Sequence, residues 1–190
     1  MKLVFASNNK NKIKEIQSLL PDDIQILSLE DIGCFEDIAE TADTIEGNAI
    51  LKADYVTKNY GYDCFADDSG LEVNALNGAP GVISARYAGE QKNDQDNMEK
   101  LLSELESHSD RTANFKTVIA LNLNGKQELF TGKIFGKITL EKKGTNGFGY
   151  DPIFQPDGFS DTFAQLSFEE KGKISHRAKA VEQLIGYIKK

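Results

Sequence analysis

Within its first 29 residues the chain changes hydrophobic period twice, and that alternation limits the fold more than any other feature. Lys2-Leu3-Val4-Phe5-Ala6 is a short apolar run closed by the polar cluster Ser7-Asn8-Asn9-Lys10, which predicts a buried strand ending in a loop. Ile13, Ile16, Leu19 and Leu20 then recur at helical spacing as far as Pro21, where a helix must stop. Ile24 to Leu29 predicts a second strand, so the chain opens as a strand, helix, strand unit of an α/β protein.

The same reading carries forward. Ile45, Ala49, Ala53 and Val56 form a helical stripe beginning at Thr44, with Asp43 and Glu46 at the spacing of a capping pair. Asp63 to Ala66 predicts a strand running into Asp67-Asp68-Ser69-Gly70 at its end, and Gly78-Ala79-Pro80-Gly81 a loop. Asp94 to Ser107 predicts an amphipathic helix with Met98, Leu101, Leu102 and Leu105 facing inward. Phe115 to Leu123 and Gln127 to Phe135 read as strands joined at Asn124-Gly125, whose residues tolerate positive φ, so the sheet should be mixed. Gly144 to Asp151 is a glycine-rich loop, and Ser175 to Ile188 closes the chain as a helix with Ala178, Val181, Ile185 and Ile188 on one side.

A chain of 190 residues can bury a core without disulfides or structural metal, and one domain over residues 1–190 is the expectation. The formal net charge of -8 disfavours a general electrostatic grip on nucleic acid, although a few converging cations and a metal ion can still hold a small anion. Cys34 and Cys64 have no neighbouring Cys or His at zinc-ligand spacing and read as buried thiols in a reducing compartment. Met1 to Ser7 lacks a secretory apolar region, and no stretch is long enough to cross a bilayer. The expected location is the cytoplasm, without membrane association.

Several segments carry chemistry. Ser7-Asn8-Asn9-Lys10-Asn11-Lys12 lies at a strand-to-helix junction, where free backbone N–H groups, the helix dipole and two lysines favour an anion. It is either a phosphate cradle or a polar cap with surface lysines, and it lacks the glycines of a Walker A loop. Asp67-Asp68 at a strand end suits a magnesium site, which typically uses one or two carboxylates plus substrate phosphates. Glu40, from the cation-free acidic stretch Glu36 to Glu46, is the best second ligand. A plain turn is the competing explanation. Gly147-Phe148-Gly149-Tyr150-Asp151-Pro152 sets aromatics between glycines, so Phe148 can stack on a flat base or the segment can be a tight turn with core aromatics. Lys171 with Ser175-His176-Arg177 gathers donors at the mouth of the last helix, where cations oppose the dipole and an anionic or carbonyl-rich ligand would account for them.

Taken in order, Ser7-x-Asn9-x-x-Lys12, Glu40-Thr41, Glu46-Gly47-Asn48-Ala49, Ala66-Asp67-Asp68-Ser69-Gly70-Leu71, Gly78-Ala79-Pro80-Gly81 with Ser84-Ala85-Arg86-Tyr87, Gly147 to Pro152 and Ser175-His176-Arg177 make the chain resemble the inosine triphosphate pyrophosphatase family. The resemblance spans nearly the whole chain. It implies an elongated two-lobed α/β fold, with a long bent mixed β-sheet flanked by helices, a central substrate cleft and a homodimer. It also implies Mg²⁺-dependent hydrolysis of non-canonical purine triphosphates (ITP, dITP, XTP) to the monophosphate and pyrophosphate. On the same resemblance Ser7 to Lys12 hold phosphate, Glu40 and Asp68 serve the metal, and Asp68 is the general base. Ser69 and Lys171 are further substrate contacts, and Phe148, Gly149, Tyr150 and Asp151 with His176 and Arg177 form the base pocket. Asn8 and Ala42 stand where that family often has glycine. Rival readings are a pyrophosphatase for modified pyrimidine nucleotides, a non-catalytic nucleotide sensor and an RNA-binding protein. Retention of Lys12, Glu40 and Asp68 speaks against the sensor, and the acidic balance against RNA.

Overall fold

In the computed structural model, which describes residues 1–190, Lys2–Phe5 forms β1, Lys10–Leu19 forms α1 and Gln25–Leu27 forms β2. β1 and β2 pair in parallel, as a strand, helix, strand unit requires. The second strand is shorter than its apolar run because Ser28 turns out of it, its N–H and hydroxyl both donating to the Asp31 carboxylate at 2.8 Å. α2 spans Ile45–Tyr60 and buries the expected stripe Ile45, Ala49, Ala53 and Val56. Its cap is Thr44, whose hydroxyl accepts the Gly47 N–H at 3.0 Å, and not the Asp43–Glu46 pair; Thr44 is the residue with extended backbone directly before the first turn.

β3 runs from Cys64 to Val73, and here the sequence expectation is corrected. Asp67 to Gly70 do not terminate the strand. They continue it, because both carboxylates find partners on opposite faces and need no turn to reach water. Two 3-10 segments, Asn74–Leu76 and Gly81–Arg86, follow, and then α3, Asp94–Glu104. β4 (Thr112–Leu123) and β5 (Lys126–Ile138) meet at Asn124 and Gly125, with φ of 50° and 75°, the backbone that the Asn-Gly pair was expected to supply. The chain continues through a short strand β6 (Phe154–Pro156), α4 (Phe168–Ile174) and α5 (His176–Ile188). β6 and α4 had no strong period in the sequence. Ser175 ends α4 and precedes α5, so Lys171 lies in a separate helix and not at the mouth of the last one. The buried face of α5 is Arg177, Ala180, Val181 and Leu184, one step around from the expected stripe.

The six strands form one open mixed sheet in the order β2-β1-β3-β4-β5-β6, with β1 and β3 parallel and β5 and β6 antiparallel. The chain divides into two compact units, and β3, β4 and β5 each supply residues to both. The first comprises residues 1–68, 117–132 and 176–190. Its core joins Leu3, Phe5, Ile16, Phe65, Ile119, Leu121, Val181 and Leu184, with the Phe5 and Phe65 rings stacked at 4.9 Å. Gly132 of β5 lies against the backbone of His176 and Ala180, where any Cβ would strike the His176 carbonyl. The second unit comprises residues 69–116 and 133–175, with a core built on Leu71, Met98, Leu101, Phe115, Ile134, Phe154 and Phe163. Cys34 and Cys64 are free and buried.

Candidate functional site

The first unit builds its site from a helix start and a strand. Asn9 caps α1, its side-chain oxygen accepting the N–H groups of Asn11 and Lys12 at 3.0 and 3.1 Å, while Ser7 Oγ accepts the Asn9 N–H at 3.2 Å. Those N–H groups are therefore taken by the chain itself, so this helix start is less a bare N–H cradle than the sequence suggested. Its fixed positive feature is Lys12. Asn8, Asn9, Lys10 and Asn11 are exposed and Ser7 half-buried. The Lys12 side chain is 14% exposed and its ammonium lies 3.3 Å from Asp67 Oδ1. Burial pulls the Lys12 pKa below its ordinary value, and Asp67 only partly offsets this.

Asp67 and Asp68 are neighbours on β3 and so face opposite sides of the sheet. Asp67 is fully buried and also accepts Arg177 Nε at 3.2 Å, and Arg177 Nη1 pairs in turn with Glu15. Burial opposes ionisation of Asp67, but Lys12, Arg177 and Lys52 outweigh it and hold the carboxyl well below the usual carboxylate range. Arg177 is 1% exposed. Its place at the start of α5, which the sequence left without a structural reason, is explained by these two carboxylates.

On the other face, Asp68 accepts Asn48 Nδ2 at 3.3 Å and lies 4.0 Å from Lys52 Nζ. Lys52 also reaches Glu40 at 2.6 Å and the Asp67 carbonyl at 2.7 Å. Asn48 accepts the Ala42 N–H at 2.9 Å, which ties the acidic segment carrying Glu40 to α2. Burial raises the Asp68 pKa to about 6; Lys52 and Lys12 pull it back, while Glu40 and Asp67 push it up. Burial alone would lower Lys52, but Asp68, Glu40 and Asp67 raise it above its ordinary value. Lys52 was not singled out in the sequence, and Asn48 only as a member of the Glu46-Gly47-Asn48-Ala49 motif. The available signal was two polar residues four apart on the buried side of α2, beside Ala49 and Ala53.

Glu40 and Asp68 thus converge on one ammonium. No group of three or more His, Cys, Asp or Glu side chains is arranged for a metal ion. A magnesium ion working on a phosphate needs only one or two carboxylates with phosphate and water oxygens, so this two-carboxylate set fits it.

The second unit holds a different set. Asp151 is 2% exposed and its Oδ2 accepts Lys171 Nζ at 2.6 Å and the Phe148 N–H at 3.0 Å. Gly147, at φ 74°, leaves no room for a Cβ beside that carboxylate. The Gly149 N–H donates to Asp94 at 2.8 Å, and the Tyr150 hydroxyl donates to the Ser84 carbonyl at 2.7 Å. The Lys171 ammonium stands 4.9 Å from the centre of the half-buried Phe148 ring. Phe148, Gly149, Tyr150, Asp151 and Lys171 are therefore brought together here. Ser69 lies half-buried on β3 in this unit, while buried His176 begins α5 in the first.

A sequence model of the Ham1 family matches residues 3–187. The chain belongs to the Ham1 family. Among its relatives, the dITP/XTP pyrophosphatase of Flavobacterium johnsoniae is 73% identical over 185 residues, covering 97% of this chain and 96% of that protein. That of Flavobacterium psychrophilum is 69% identical over 189 residues, covering both proteins in full. Two solved Ham1 structures share the fold. The Staphylococcus aureus protein has a TM-score of 0.91 at 44% identity, and the Coxiella burnetii protein 0.92 at 42%, each covering 100% of this chain and 98% of the other.

Proposed function

We propose that this Ham1 protein is a Mg²⁺-dependent pyrophosphatase that hydrolyses dITP, ITP and XTP to the nucleoside monophosphate and pyrophosphate. The observation that carries the reading is the pair of buried charge clusters around Asp67 and Asp68, with Lys12 on one and the Glu40, Lys52 and Asp68 set on the other. The names of the relatives given above agree with it.

Asp68 is the general base. A carboxyl held near 6 is a better proton acceptor than an ordinary aspartate and is still largely ionised at neutral pH. It takes a proton from water as the water oxygen bonds to the α-phosphorus and the bond from that phosphorus to the bridging oxygen breaks, releasing pyrophosphate. Ser7 to Lys12 hold the phosphates, with Lys12 supplying the charge, and Lys171 and Ser69 are further contacts. Glu40 and Asp68 would hold Mg²⁺, which when bound neutralises phosphate charge and orients the attacked group.

Phe148 offers the stacking face for the base, held by Asp151, Gly149 and Tyr150. His176 and Arg177 are the donors assigned to the 6-oxo group of hypoxanthine and xanthine; adenine presents a donor amino group there and is excluded. Arg177 would meet the base with its plane already set by Asp67 and Glu15. We further propose a homodimer in the cytoplasm that binds neither nucleic acid nor membrane. The free, buried thiols favour a reducing compartment and the acidic charge disfavours nucleic acid, while the homodimer rests on the family resemblance; no helix is long and apolar enough to cross a membrane.

The test is pyrophosphate release with and without Mg²⁺ across ITP, dITP, XTP, GTP, ATP and dTTP, with sedimentation for the assembly state. Turnover of ITP, dITP and XTP only in the presence of the metal is expected. Equal turnover of ATP or dTTP, or none of any substrate, refutes the reading.

A further inference from the structure

In the reaction just described Glu15 enters only as a partner of Arg177, and its side chain is only 12% exposed, far less than a glutamate on a helix surface usually is. It is three residues after Lys12 in α1, on the same side of the helix. From Glu15 the charges alternate through space. Glu15 pairs with Arg177, Arg177 with Asp67 at 3.2 Å, and Asp67 with Lys12 at 3.3 Å. The series begins and ends on α1 and passes through α5 and β3, all in the first unit.

The division of Asp67 gives this series a consequence. One carboxylate oxygen serves Arg177 and the other serves Lys12, so the two cations compete for one buried anion. Glu15 takes part of the Arg177 charge and thereby leaves Asp67 able to hold Lys12. Without that carboxylate the Arg177 charge falls more fully on Asp67, and Lys12 loses the partner that aims it.

We propose that Glu15 is a positioning residue for Lys12, acting through Arg177 and Asp67. The inference rests on the reading of Ser7 to Lys12 as the phosphate-holding segment. Glu15 itself touches no substrate, so its removal weakens phosphate binding and, because dITP and GTP both present the 6-oxo group assigned to Arg177, leaves the choice between those two unchanged.

The experiment is a double-mutant cycle with Glu15→Gln, Lys12→Ala and the pair. Monophosphate formation from dITP and from GTP is measured, inorganic tripolyphosphate is the competing, base-free probe, and melting is followed for each variant. Glu15→Gln is expected to lower kcat/KM about tenfold, to weaken tripolyphosphate inhibition by a similar factor and to leave the dITP to GTP ratio unchanged. The double variant should be no worse than Lys12→Ala alone. Losses that multiply, a changed base ratio, or a lowered melting temperature with unchanged tripolyphosphate inhibition overturn the proposal. If Lys12→Ala leaves tripolyphosphate inhibition intact, the phosphate reading itself fails, a result distinct from failure of Glu15→Gln alone. Should Glu15→Gln not fold, Glu15→Asp, which keeps the charge and shortens its reach, runs the same cycle and must show the same non-additivity.

Discussion

The two units solve different problems with charge. In the first, Arg177 and Lys52 are each shared between carboxylates, and Asp67 is wholly buried between two cations, Arg177 and Lys12. In the second, a single pair, Lys171 with Asp151, fixes a loop whose other features are glycines and an aromatic ring. Buried ionic networks resist rearrangement because every member loses compensation if one moves. Charge development at phosphorus rewards that rigidity. On the proposed function a flat base would need only a face from this unit, and a loop held at Asp94, Ser84 and Asp151 would present the Phe148 ring with little charge.

Substitutions on each side can break that contrast. Asp68→Asn should have the largest effect, lowering pyrophosphate release about 10³-fold or more while the fold survives. Its stability effect has a definite sign. Burial raises the folded pKa of Asp68, so its contribution to stability is present below the unfolded value of about 3.9 and is lost as pH rises through about 6. At neutral pH Asp68→Asn should therefore melt no lower than the parent, and turnover of the parent should fall with acid near the same pH. A stable Asp68→Asn protein with near-normal turnover would remove Asp68 from the chemistry.

Asp67→Ala comes next, at about 3–5 kcal/mol of unfolding free energy, since it strands Lys12 and Arg177 in a buried setting. Denaturant unfolding measures it, and a loss below about 1 kcal/mol would mean that water replaces the carboxylate and the network is not rigid. Because the folded Asp67 pKa is depressed, its stabilisation is present above the unfolded value and disappears as pH falls.

Phe148→Leu should raise KM for dITP by roughly 5- to 150-fold, the range of about 1–3 kcal/mol for one stacked base, with kcat less affected and tripolyphosphate inhibition unchanged. Weaker tripolyphosphate binding in that variant would show that the two units are not specialised as described. The smallest change is expected for Asp94→Ala, which removes the anchor of the Gly149 N–H: a few-fold rise in KM, about 1 kcal/mol, largely restored in Asp94→Asn, where an acceptor oxygen remains.

The elements legible in the sequence were those whose pattern is local. The period change from Lys2 to Leu29, the stripe on α2 and the Asn124-Gly125 turn each depend on residues within a few positions of one another. β6 was not legible because three residues carry no period, and α4 because seven residues give barely two turns. In the site, Lys12, Glu40, Asp68, Phe148 and Lys171 stood out by residue type within motifs. Lys52 and Glu15 did not, since each looks like an ordinary helix-surface charge until residues far along the chain are seen around it. Likewise β3 was expected to end at Asp67, because paired aspartates usually seek solvent; their partners come from residues as distant as Lys12 and Arg177.

Gly132 extends this lesson to a residue with no chemistry at all. The methyl group of an alanine would push the first turn of α5 outward and carry Arg177 away from Asp67. A survey of tolerated substitutions would then flag position 132 as forbidding even the smallest side chain, and an assay would score the damage as lost phosphate handling, although the glycine meets neither water nor nucleotide.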